Sequence, residues 1–88
     1  MKGIITVLGK DRVGIIAQVC TYLSARQVNI LDISQTIVQG FFSMLMIVDL
    51  RASVDFEQTV KDLRGLGEAM GLEIKLQRED IFEAMHRI

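Results

Sequence analysis

Proline is missing from this chain of 88 residues. Glycines and helix-capping side chains must therefore mark the breaks between elements. Cysteine occurs once, at Cys20, so no intrachain disulfide can form. Its place in an apolar helical pattern suits a small core residue better than a nucleophile. Histidine also occurs once, at His86, with no cysteine or carboxylate cluster at ligand spacing. A zinc site and a Ser-His-Asp or Cys-His set both lack their parts, so no metal, cofactor or catalytic residue is expected. Positive charge is not clustered. Lys10, Arg12, Arg26, Arg51, Lys61, Arg64, Lys75 and Arg78 are scattered, and ten basic residues against eleven acidic ones leave a net charge of −1. That pattern speaks against nucleic acid and an anionic membrane surface as direct partners. The longest apolar run, around Phe41 to Leu50, is broken by Ser43 and Asp49 and falls far short of the ~20 residues of a membrane span. No N-terminal stretch has the regions of a secretory signal, so a cytoplasmic location is expected.

Apolar surface, by contrast, is plentiful. Half of the residues are hydrophobic, whereas a chain this short buries only roughly 60–65% of its surface on folding. The surplus points to a homodimer interface around a single domain spanning residues 1–88.

Ile4 to Leu8 reads as a buried strand ended by Gly9. Asp11 is the expected N-cap of a helix whose stripe is Val13, Ile16, Ala17, Cys20 and Leu23, widened by Ile15, Val19 and Tyr22. From Asn29 to Val38 the residues alternate, with Leu31, Ile33 and Ile37 on one face and Asp32, Ser34 and Thr36 on the other. Gln39-Gly40 makes a tight turn into a strand from Phe41 to Leu50. Both faces of that strand are apolar, which suggests burial on both sides. Ser53 or Asp55 caps a second helix with Phe56, Val60, Leu63, Gly67 and Met70 inward, and Gly71 ends it. Gly65 and Gly67 weaken this helix by ~1 kcal/mol each relative to alanine. Leu72, Ile74 and Leu76 then alternate with polar residues as a half-buried strand. Asp80-Ile81-Phe82-Glu83 begins a short terminal helix, with Ile81, Phe82, Met85 and Ile88 as its stripe.

This order specifies an α+β fold: a ferredoxin-like βαββαβ sandwich, one antiparallel four-stranded sheet with two helices on one face, plus the short C-terminal helix. The other face would be bare. Phe42, Met44 and Met46 are expected to need cover from a second copy or from the terminal helix.

The segment Gly9-Lys10-Asp11-Arg12-Val13-Gly14-Ile15-Ile16 joins the first strand to the first helix. A helix N-terminus attracts a carboxylate or phosphate, and Gly14 has no side chain to block approach. The plainer account is that Asp11 caps the helix and Gly14 relieves packing, and on residues alone it is favoured. The Gly9 and Gly14 spacing resembles part of a P-loop, but Ile15-Ile16 stands where Lys-Ser/Thr is needed. Asn29 offers a donor and an acceptor, and Asp32 could hold an ammonium. Both open the returning strand, at the opposite end from the Gly14 loop of the same chain. A pocket using both segments would form most easily across a subunit interface.

The stretches Ile4-Thr6-Val7, Lys10 to Ile16 and Arg26-Gln27-Val28-Asn29-Ile30-Leu31-Asp32 resemble the ACT domain. The likeness is to free-standing ACT-domain proteins, similar to the glycine cleavage system regulator and to the modules of formyltetrahydrofolate deformylase and phosphoserine phosphatase. It implies a βαββαβ module that binds amino acids or other small metabolites, often at a dimer interface. By position it implies Asp11, Arg12, Val13, Gly14 and Ile15 as the ligand loop, with Asn29 and Ile30 beside it. Val13 stands where the family often has proline. A free-standing member would act on a protein partner in trans.

The expected function is regulatory binding of a small molecule, an amino acid in particular, by a homodimer. The alternative is an interaction module that ignores small molecules. An acyl-phosphate hydrolase using Arg12 and Asn29 has only fold analogy behind it. An RRM-like RNA reader would rest on Phe41 and Phe42 alone, with no aromatic in the first strand.

Overall fold

The computed structural model describes residues 1–52 and 54–80. Along the chain lie β1 (Lys2–Lys10), α1 (Ile15–Ala25), β2 (Asn29–Val38), β3 (Phe41–Asp49), α2 (Phe56–Met70) and β4 (Leu72–Arg78). Ser53 and the expected terminal helix with Ile81, Phe82, Met85, His86 and Ile88 lie outside the described residues.

The strands form one sheet in the order β2-β3-β1-β4, and every neighbouring pair is antiparallel. β1 and β2 both run against β3, so they are parallel to each other with α1 as the crossover. This is the split βαβ arrangement expected from the element order. Val38 pairs with Phe41, leaving a two-residue turn in which Gln39 and Gly40 take φ of 52° and 81°. Two positive φ values match the twist of the flanking strands.

One face of the sheet carries Ile5 and Val7 of β1, Phe42, Met44, Met46 and Val48 of β3, and Leu72, Ile74 and Leu76 of β4. All of them are buried in a single core with Ile15, Val19 and Leu23 of α1 and Leu63 and Met70 of α2. Phe42, Met44 and Met46 therefore belong to the helix-covered face and need no second copy to cover them. The expectation that they line the bare face inverts the sheet. The opposite face instead carries Ile4, Thr6, Leu8, Leu45 and Ile47, of which Ile4 is buried and Leu8 is 48% exposed. β3 is not buried on both sides either, because Phe41 is 60% exposed and Ser43 is exposed, while Leu45 and Ile47 are only partly covered.

The inward stripe of α1 is Ile15-Val19-Leu23, not the stripe starting at Val13. Val13 is 97% exposed because it precedes the helix. β2 is an edge strand, and from Leu31 to Val38 every residue is exposed. A bulge at Leu31, between the pairs Ile30↔Val48 and Asp32↔Ile47, resets the alternation. Ile30, Ile33, Gln35 and Ile37 thereby share the helix side.

α2 is the best-terminated element. The Asp55 carboxylate accepts a hydrogen bond from the Gln58 backbone N–H at 3.1 Å, as expected for the cap, and Glu57 adds negative charge to the first turn. Gly71 ends the helix in the left-handed region. Gly67 is more than a weak point: a Cβ there would stand 2.8 Å from the Leu72 carbonyl oxygen and 2.9 Å from Ile74. Its absence lets α2 lie against β4. Thr59, rather than Phe56 or Val60, completes the buried stripe, its hydroxyl donating to the Asp55 carbonyl at 2.8 Å.

Candidate functional site

β1 runs on to Lys10, and the Asp11 backbone N–H then donates to the Gly40 carbonyl at 2.8 Å, tying the loop to the β2–β3 hairpin. α1 begins only at Ile15. Its N-cap is Gly14, at φ 92° and ψ 1°, a conformation that L side chains rarely adopt. No side chain caps this end and no acidic residue lies in its first turn. Asp11 is thus not the cap, as the sequence led us to expect. It sits four residues before the first helical one, its backbone is held in the hairpin contact, and its side chain makes no hydrogen bond to the first-turn N–H groups of the helix. Those N–H groups have no intrahelical acceptor.

A cleft of about 250 Å³ opens over this end. Asp11, Arg12, Gly14, Ile15 and the first turn of α1 line one wall, and Gln35, Ile37 and Phe42 line the other. The volume is below the roughly 300–1,000 Å³ of pockets for drug-sized ligands, which suits a small metabolite. The Asp11 carboxylate has no partner among the described residues. Arg12 is engaged: its Nη1 donates to the Met70 carbonyl at 3.1 Å, a cation on the last turn of α2. Val13 projects into solvent and does not line the cleft.

Asn29 and Ile30 lie elsewhere. Asn29 pairs with Asp49 at the end of the sheet remote from the Gly40 hairpin. Together with Ser24, Gln27, Asp49 and Arg51 they line a wide depression of about 630 Å³ beside the C-terminal end of α1. Ten residues of β2 separate this end from the Gly14 loop, roughly 30 Å at strand rise. One chain does not bring the two groups together. A third groove, about 460 Å³ along the β4 edge, carries charges of both signs, and Lys75 and Glu73 there pair at 2.9 Å.

Periodicity gave no hint of the contact between the helices. Tyr22 donates its hydroxyl to Asp62 Oδ2 at 2.7 Å, Arg26 reaches the same oxygen at 3.0 Å, and Gln58 donates to Oδ1 at 2.8 Å. The Arg26 guanidinium lies 5.4 Å from the centre of the Tyr22 ring. Hydrogen bonds from Tyr22 and Gln58, with the Arg26 charge, hold the Asp62 carboxyl below its ordinary value. Burial, then the hydrogen bond to Asp62 and its charge, push the Tyr22 hydroxyl up. Apolar spacing had placed Tyr22 merely on the widened face of α1. Gln35 was likewise unmarked, because it belongs to no motif, and Ala17 had been placed only in the apolar stripe of α1.

Comparison with known proteins settles the family. The profile of the ACT domain matches residues 3–77. The chain belongs to the ACT domain family. A UPF0237 protein of Bifidobacterium longum is 59% identical over 88 residues, covering 99% of this chain and 98% of its own. Among solved structures, an ACT domain protein from Streptococcus pneumoniae superposes with a TM-score of 0.83 at 37% identity, over 94% of each chain. A protein described as a glycine cleavage system transcriptional repressor matches with a TM-score of 0.77 at 25% identity, over 86% of this ACT domain and 44% of that chain. The ACT fold, with its regulatory relatives, supports a regulatory module that binds a small molecule. Among the described residues no helix of this ACT domain is long and apolar enough to cross a membrane.

Proposed function

We propose that this ACT domain senses an amino acid as a homodimer and signals through a protein partner in trans. The observation that carries the reading is the uncapped N-terminus of α1 opening on a small cleft. An amino-acid carboxylate would receive the free N–H groups of Ile15, Ile16 and Ala17. The Asp11 carboxylate would take the ammonium, and Arg12 would hold the loop against α2.

Dimerisation through β2 supplies what one chain lacks. β2 is an edge with one charged residue, Asp32, and with Leu31, Ile33, Ile37 and Val38 all at least 40% exposed. It has neither lysine nor proline to discourage pairing. Antiparallel pairing of two such edges about a two-fold axis carries Asn29 and Ile30 of each copy toward the Gly14 loop of the other. The residues that one chain separates would then close a single pocket, two per dimer.

The test is a thermal-shift screen with the twenty amino acids. A ligand at 100 times its Kd adds about 2.7 kcal/mol, several degrees in a domain of this size. A shift with one or a few amino acids, lost on Gly14→Val, supports the sensor. No shift with any of them contradicts it and favours the second reading, an interaction module using the apolar β2 edge alone. Nucleic acid and membrane have no place in either reading.

A further inference from the structure

We infer that a second copy of the chain pairs with this one along β4, antiparallel and centred on Ile74, so that Glu73 of each copy lies opposite Lys75 of the other. This surface is the sheet edge remote from β2, and it does not depend on the ligand reading above.

β4 is the edge strand beyond β1, and its outer side has no strand partner among the described residues. Such an edge presents a row of unpaired backbone N–H and C=O groups. Leu72, Ile74 and Leu76 face the core and are buried, while Glu73 and Lys75 stand exposed on the other face. A two-fold antiparallel pair sets opposite residues on the same face, so its axis passes through a residue and not between two. Centring on Glu73 would set that acid against its own copy, and centring on Lys75 would do the same for the base. Like charges directly opposite are unfavourable. Centring on Leu76 would set Ile74 against Arg78. Centring on Ile74 sets Glu73 opposite Lys75 twice, Leu72 opposite Leu76 twice, and Ile74 opposite itself. Of these registers it alone matches acid with base and apolar with apolar. A lysine on an edge ordinarily discourages pairing, but here it meets an acid. Glu73 and Lys75 already pair within the chain at 2.9 Å, so the axis joins two such pairs into a ring of alternating charge.

α2 carries the same complementarity. Arg64 and Glu68, one turn apart, line with Val60 the groove of about 460 Å³ beside this edge. Neither side chain has an ionic partner among the described residues. Gly67 marks the level of Ile74 on the helix, since a Cβ there would stand 2.9 Å from that side chain. An axis through Ile74 therefore passes between Arg64 and Glu68 and brings each toward its opposite on the second copy. Two sets of opposite charges reversed about one axis are what a self-complementary two-fold contact requires. Exposed ion pairs add little affinity. The backbone edge supplies the attraction, and the charges select the register and the partner.

Sedimentation equilibrium of the whole chain tests this, comparing wild type, Glu73→Lys, Lys75→Glu and the double exchange Glu73→Lys/Lys75→Glu. Both positions are exposed, so folding is unaffected. Each single variant sets like charges opposite one another and is expected to sediment at half the wild-type mass or less. The double exchange keeps acid opposite base throughout and is expected to recover the wild-type mass. A monomeric wild type, single variants at the wild-type mass, or a double exchange that stays at the mass of the singles overturns the inference. A wild-type dimer that neither single variant dissociates assigns the dimer to another surface, β2 among them, and overturns the β4 contact while leaving the sensor standing.

Discussion

The two helices of this ACT domain begin in opposite ways. α2 has an aspartate cap, an acidic first turn, a left-handed glycine at its end and an arginine on its last carbonyl. α1 begins at a glycine in a left-handed conformation with no capping side chain and no acid in its first turn. Both helices pack on the same core, so burial does not explain the difference. A chain that finishes α2 so completely leaves α1 open where a cleft meets it. The unsatisfied end costs stability that a ligand's carboxylate would restore.

Substitutions at the two ends sharpen this contrast. Gly14→Ala should destabilise most, by about 1–2 kcal/mol, since φ of 92° forces an L residue into the left-handed region. A Cβ there meets nothing closer than Gln18 Nε2 at 3.9 Å, so the loss is conformational and urea unfolding should report it with an unchanged m-value. Asp55→Ala should cost about 1 kcal/mol by removing a working cap. If it cost nothing, α2 would be no better finished than α1, and the contrast would fail. Ala17→Glu should act in the other direction, stabilising by about 0.3–1 kcal/mol by placing a carboxylate in the bare first turn.

The smallest expected effect is a pH slope from the contact that joins the helices. Asp62 has a lowered value in the folded chain, so its contribution is present above the ordinary carboxylate range and fades as pH falls through that lowered value. Tyr22 is raised, so its contribution is complete below pH 10.0 and fades as pH rises through the higher folded value. Asp62→Asn should flatten the acid limb of a stability-against-pH profile, and Tyr22→Phe the alkaline limb. Unchanged limbs would show the contact to be idle.

Local chemistry made much of this legible. The Gln39-Gly40 turn, the Asp55 cap, Gly71 and the alternation of Leu72, Ile74 and Leu76 each follow from neighbouring residues, and together they fix the element order. The loop was read correctly as a helix entrance and wrongly in detail. Val13 fits a helical period with Ile16 and Ala17, and Asp11 is a good capping type. Only the hydrogen bond from Asp11 to Gly40 and the backbone turn at Gly14 show why the helix starts late. The bulge at Leu31 hid the phase of β2, because periodicity assumes an unbroken ladder. Arg12 on Met70 and Tyr22 on Asp62 join positions 58 and 40 residues apart, beyond the reach of any local pattern. The separation of Asn29 from the Gly14 loop, by contrast, followed from topology alone.

The most direct measurement is a paired one on Ala17→Glu: its melting temperature without ligand, and its thermal shift with whichever amino acid stabilises the wild type. The account predicts a higher melting temperature and a lost shift, because the new carboxylate would neutralise the positive end of α1 at which the proposed ligand would sit. A variant that melts higher and still responds as the wild type does would place the ligand elsewhere and contradict the account.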